Sequence, residues 1–116
     1  MRFHFLCCGV TLALSAALPL TCVAADAPYA RIISPQDGAK LDAMSQNRID
    51  YEVAPGPGGD HIHLYVDNKE AAILRKLSGS HALESLPPGA HGLCIKVVNK
   101  AHVPIGVEHC VKVSVQ

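Results

Sequence analysis

The chain carries no excess charge of either sign. Ten Lys and Arg stand against ten Asp and Glu over 116 residues. With no basic patch there is no electrostatic footprint for nucleic acid, and no nucleic-acid partner is expected. Convincing helical periodicity is missing too, as are internal repeats and low-complexity tracts. The glycine-rich stretch Pro55-Gly56-Pro57-Gly58-Gly59 has no Lys-Ser or Lys-Thr after it and no helix to open, which excludes a P-loop. Ser34, Ser45, Ser78 and Ser80 follow turns. Ser80 comes after Gly79 but leads into a strand, so there is no nucleophile elbow and no enzyme is expected. Methionine is scarce. Beyond Met1 there is only Met44, which argues against a soft Cu(I) site built on thioethers.

What is present begins with an export signal. Arg2 precedes an uncharged run from Phe5 to Leu20, and Val23-Ala24-Ala25 offers the small residues a signal peptidase reads. Residues 1–25 therefore read as a signal peptide and 26–116 as one domain. The run is short for a bilayer span and no stop-transfer charges follow, so no membrane span is expected after cleavage. A retained anchor is the alternative. Cys7, Cys8 and Cys22 leave with the signal. Cys94 and Cys110 remain, and a cysteine pair in an exported, periplasmic or secreted domain reads as a disulfide. Six of the seven histidines also remain: His61, His63, His81, His91, His102 and His109.

The mature stretch reads as strands and turns. Strands are expected at Ala30 to Ile33, Arg48 to Ala54, Asp60 to Asp67, Glu70 to Leu77, His81 to Leu86, Gly92 to Asn99 and Val107 to Val115. Glu70 to Leu77 fits a helical turn as well; its neighbours favour a strand. Ser34-Pro35-Gln36-Asp37-Gly38 and Ser78-Gly79-Ser80 read as turns. About seven strands with frequent turn signals make an all-β immunoglobulin or fibronectin type III-like β-sandwich. The last hairpin has a testable register. Placing Cys94 opposite Cys110 also places Lys96 opposite Glu108 and Leu93 opposite Val111, one favourable charge pair and one apolar pair. It also sets His109 opposite Ile95 on the inner face, where the imidazole needs a partner.

Four motifs recur together: Ser34-Pro35-Gln36-Asp37-Gly38-Ala39, His61-Ile62-His63-Leu64-Tyr65-Val66-Asp67, Leu86-Pro87-Pro88-Gly89-Ala90-His91, and His102-Val103-Pro104. In that order they resemble the small exported bacterial domains of the domain-of-unknown-function 4399 family. The resemblance spans nearly the whole mature chain and implies an exported sandwich domain; it implies no activity. The chain departs from that family in carrying His61-Ile62-His63 where three adjacent histidines are common. The Cys94/Cys110 pair is no hallmark of the family.

The histidines carry the functional reading. Strict alternation in Asp60 to Asp67 puts Ile62, Leu64 and Val66 on one face and His61, His63 and Tyr65 on the other, outside the core. Imidazoles at i and i+2 stand roughly 6.5–7 Å apart at the backbone, close enough to reach one ion. In a sandwich of this kind the loop before the third strand and the loop between the last two share one end. His102 should therefore join His61 and His63 in a surface site for copper or zinc, with Asp60 or His81 as a fourth ligand. Lys96, expected beside His63, would oppose a cation. His91 starts the sixth strand at the other end, roughly 20 Å or more away at about 3.3 Å per residue. It is expected to bond backbone at its corner. The alternative is a monomeric structural or protein-interaction module whose histidines bind no metal. Intact-mass measurement of the exported protein should give a chain starting at Asp26; a mass that includes Met1, or a lipid on Cys22, would contradict the signal assignment.

Overall fold

The computed structural model describes residues 13–20 and 27–116. The expected cleavage site at Val23-Ala24-Ala25 lies outside the described residues. Residues 13–20 have no regular structure and are exposed. Among the described residues, no helix is long and apolar enough to cross a membrane.

Among the described residues there are eight strands in chain order: β1 Tyr29–Ser34, β2 Lys40–Leu41, β3 Arg48–Ala54, β4 His61–Val66, β5 Lys69–Leu74, β6 Ser78–Ala82, β7 Gly89–Val98 and β8 Pro104–Val115. They form a three-stranded sheet, β1-β3-β6, and a five-stranded sheet, β2-β8-β7-β4-β5. This is an all-β, fibronectin type III-like sandwich. The period of two sends one face of each strand inward. Ile49, Tyr51 and Val53 of β3 meet Ile62 and Leu64 of β4 and Leu93, Ile95 and Val97 of β7 in a single buried core.

Glu70 to Leu77 resolves as a strand, β5, ending at Leu74. It is joined to β4 by Asp67 and Asn68, both with positive φ (50° and 66°). Two such residues form the tight turn whose twist suits a hairpin. The fifth expected strand is displaced. His81 to Leu86 is extended only to Ala82, and Ser78-Gly79-Ser80, expected as a turn, belongs to β6. Those three residues pair with Glu52, Tyr51 and Asp50 of β3. Pairing with a central strand overrides the turn preference of Ser and Gly.

The last hairpin has the expected register: Cys94 faces Cys110, Lys96 faces Glu108 and Leu93 faces Val111. A disulfide joins Cys94 and Cys110. Lys96 Nζ lies 3.6 Å from Glu108 Oε2. His109 does fall opposite Ile95. It is satisfied by the other sheet: its Nδ1 accepts the Ile32 backbone N–H at 2.9 Å. The Ser-Pro-Gln-Asp-Gly turn is tied to the same hairpin, with Asp37 Oδ1 accepting from Lys112 N at 2.7 Å.

The cross-link spans 16 residues, and closing a loop of that size removes about 3 kcal/mol of unfolded-chain freedom. Replacing Cys94 and Cys110 together by Ser should lower the unfolding free energy by about 2–3 kcal/mol in urea titration. An unchanged midpoint would show that the bond adds nothing to the ladder around it.

Candidate metal centre

β4 is a central strand, hydrogen-bonded to β5 on one side and β7 on the other. Its inner residues Ile62 and Leu64 are fixed in the core, so its outer residues are held as firmly. His61 and His63 are 2% exposed. The expectation of a surface site is thus corrected: the two histidines face away from the inter-sheet core, yet they are buried. The outer face of a sheet is wet only where nothing crosses it, and here the β7–β8 loop carries His102 across it. Val98, opposite His61 in the ladder, is also fully buried although it stands apart from the inter-sheet core.

The loop is shaped by its own hydrogen bonds. Asn99 Oδ1 accepts from Ala101 N at 2.9 Å and Val103 N at 3.1 Å. Asn99 O accepts from His102 N at 2.9 Å. His102 takes a positive φ of 64°, a conformation a non-glycine residue holds only when its surroundings enforce it. The ring then meets the two buried ones. His61 Nε2 lies 3.1 Å from His63 Nε2 and 3.2 Å from His102 Nδ1, and the third side of the triangle is 3.0 Å.

The strand enters this site from the Pro-Gly loop. A Cβ on Gly59 would stand 2.6 Å from the Pro55 carbonyl oxygen and 2.6 Å from Val97 Cγ1. Only glycine permits so close an approach. The next residue, Asp60, continues the ladder through its N–H to Val98 O at 2.8 Å. Its carboxylate Oδ2 accepts from His61 Nδ1 at 2.8 Å. That bond holds the Asp60 carboxyl below the usual carboxylate range. In a neutral ring with Nδ1 donating to Asp60, His61 Nε2 carries the lone pair and faces the triangle. Asp60 is therefore an orienting residue and not a fourth ligand. His81 is no ligand either. It lies on β6 in the other sheet, opposite Ile49.

His63 is buried, which depresses its pKa; nearby Glu70 opposes that effect, and His61 and His102 add to it. Lys96 is its neighbour across the ladder, as expected. The ammonium group turns elsewhere, 4.7 Å above the Tyr65 ring and beside Glu108. The feared repulsion of a cation is thereby reduced. The three nitrogens converge closely enough to hold one metal ion. A tetrahedral ion with Zn–N bonds of about 2.0–2.1 Å needs ligand separations of about 3.3 Å, close to those present, and keeps one position open.

His91 stands at the opposite end of β4, as expected, and takes no part. Its Nδ1 donates to Asp67 Oδ2 at 2.6 Å and its Nε2 to the Pro87 carbonyl at 2.6 Å. Asp67 Oδ1 also accepts from Gly92 N at 2.8 Å. The Asp67 carboxylate, then the Pro87 carbonyl, raises the His91 pKa. His91 and the Gly92 N–H lower that of Asp67.

The fold has counterparts among solved structures. The fibronectin(III)-like modules of Clostridium thermocellum CbhA match with a TM-score of 0.63 at 12% identity, over 75% of this chain and 96% of theirs. A lytic polysaccharide monooxygenase of Jonesia denitrificans matches with a TM-score of 0.50 at 16% identity, over 71% of this chain and 60% of its own. The extracellular domain of a one component system from B. thetaiotaomicron matches with a TM-score of 0.50 at 15% identity, over 71% of this chain and 12% of its own. No family model and no curated protein matches the chain. At these identities the likeness is one of fold, the fibronectin type III-like sandwich.

The corner pair gives a pH signature. His91, raised in the folded state, stabilises fully below about pH 6.5 and loses that effect as pH rises through its folded value. Asp67, lowered, stabilises above about pH 3.9 and loses it as pH falls through its folded value. The stability difference between the native protein and His91→Gln should therefore be largest between those limits. Urea midpoints measured across pH 3 to 9 test this; a difference constant with pH would remove the ion pair from the account.

Proposed function

We propose that the protein is a small exported, non-enzymatic binding module, export being what its motif resemblance implies, and that it holds one Cu(II) or Zn(II) per chain. The ligands are His61 Nε2, His63 Nε2 and His102 Nδ1. The reading rests on one observation: these three nitrogens lie within 3.2 Å of one another, two of them on buried rings. Neutral imidazole suits both ions, whereas the absence of a methionine or free thiol among the ligands disfavours Cu(I). In a neutral ring whose proton is on Nδ1 facing Asp60, His61 Nε2 offers its lone pair to the triangle. With His61 Nε2 as an acceptor, a ring proton on His63 or His102 can bridge to it, and a metal ion would take the place of that bridge.

The ligands come from two places of unequal rigidity. His61 and His63 sit on a strand paired on both edges; His102 sits on an exposed loop. Binding therefore ties the loop to the sheet. Export accords with the Cys94–Cys110 disulfide, since such bonds persist outside the reducing cytoplasm.

Calorimetric titration of the tag-free exported protein should show saturable uptake of one ion per chain at micromolar protein. Uptake should weaken as pH falls through about 6.5, where imidazoles gain protons. His63→Ala and His102→Ala should each weaken it by more than about 100-fold, beyond the roughly 10- to 100-fold that a lost orienting residue costs. His91→Ala should leave it unchanged. No saturable uptake, or uptake indifferent to His63→Ala, would leave a protein-interaction module as the better reading.

A further inference from the structure

His63 holds a buried polar atom with nothing to bond. Its Nδ1 has no hydrogen-bond partner, although the residue is 2% exposed. Unpaired buried polar atoms are uncommon in folded proteins and call for a physical cause. The nearest carboxylate is Glu70, with Oε2 at 3.5 Å, a half-exposed side chain on the edge strand β5. A short adjustment of that side chain would close a hydrogen bond.

Glu70 is placed there by a break in the strand pairing. Leu64 faces Ala72, but Tyr65 faces Glu70 and Val66 faces Lys69. An uninterrupted register would set Glu70 opposite Val66, on the core-facing side. The one-residue bulge moves it to the outer face, beside Tyr65 and within reach of His63. Bulges re-aim side chains in this way.

We propose that Glu70 is the positioning residue of His63, as Asp60 is of His61, and that the two carboxylates together fit the site to a divalent ion over Cu(I). This rests on the metal reading above. Each carboxylate takes the Nδ1–H of one buried imidazole, so that both rings present Nε2 to the ion. The charges then balance. Three neutral imidazoles add nothing, and Asp60 and Glu70 supply two negative charges against the two positive charges of Zn(II) or Cu(II). Cu(I) would leave one negative charge uncompensated in a half-buried site. Of the nearby cations, Lys96 is held by Tyr65 and Glu108. Arg75 and Lys100 act on Asp60 through space, more weakly than its bond to His61.

The test compares the exported protein with Glu70→Gln, using Zn(II), Cu(II) and Cu(I) separately in competition titrations, with the Cu(II)/Cu(I) midpoint potential as a second readout. Glu70→Gln keeps the size of the side chain and should leave thermal unfolding of the metal-free protein unchanged. Affinity for Zn(II) and Cu(II) should fall about tenfold, with little change for Cu(I). The midpoint potential should then rise by about 59 mV, the one-electron equivalent of tenfold. Equal loss for both copper states, or no loss for any ion, would overturn the proposal while wild-type binding persisted. Failure of the wild-type protein to bind any of the three ions would overturn both this proposal and the metal reading beneath it.

Discussion

The register of β4 against β7 and of β7 against β8 is the constraint on which the rest depends. A strand has two faces, and a slip of one residue exchanges them. Here the inner face carries Leu64 against Ile95 and Leu93 against Val111, all buried, so a slip would send several large apolar side chains into water. Each of those is worth roughly 1.5–3 kcal/mol of burial. The core therefore fixes the outer face at the same time. His61, His63 and Tyr65 occupy their positions because Ile62 and Leu64 cannot leave theirs.

Rigidity and chemistry are thus coupled in one strand. Two imidazoles are held on a backbone paired along both edges, and each ring has a carboxylate on its far side, bonded in one case and close by in the other. The third imidazole arrives on a loop that folds back over the sheet. This division suits a site that must be both preorganised and accessible. The buried pair sits on a backbone held along both edges, and the exposed loop brings the third ring to it.

The two ends of β4 show how the same residue types serve different purposes. At one end, histidines face each other and Asp60 directs one of them inward. At the other, His91 faces only acceptors, Asp67 and the Pro87 carbonyl, which favour its charged form. A ring with two acceptors has no lone pair to offer a metal. Environment, and not residue type, separates ligand from fastener.

Alternation, turn residues and cysteine spacing were legible in the sequence, because each depends on local backbone geometry or on one pairing choice. They sufficed for the sandwich, for the Cys94–Cys110 and Lys96–Glu108 register, and for the gathering of His61, His63 and His102. Other features belong to the tertiary structure. Burial of His61 and His63 comes from a loop crossing the outer face, which no periodicity records. The strand at Ser78–Ala82 exists because β3 offers it a ladder, against the preference of its own residues. His81 is carried to the opposite sheet by that same pairing. Glu70 could not be seen as part of the site at all: strand alternation alone assigns it to the core-facing side, and only the bulge in β5 turns it outward. Local sequence determined which residues could share a face; the long-range pairing of strands decided which faces meet, because that depends on neighbours distant in the chain.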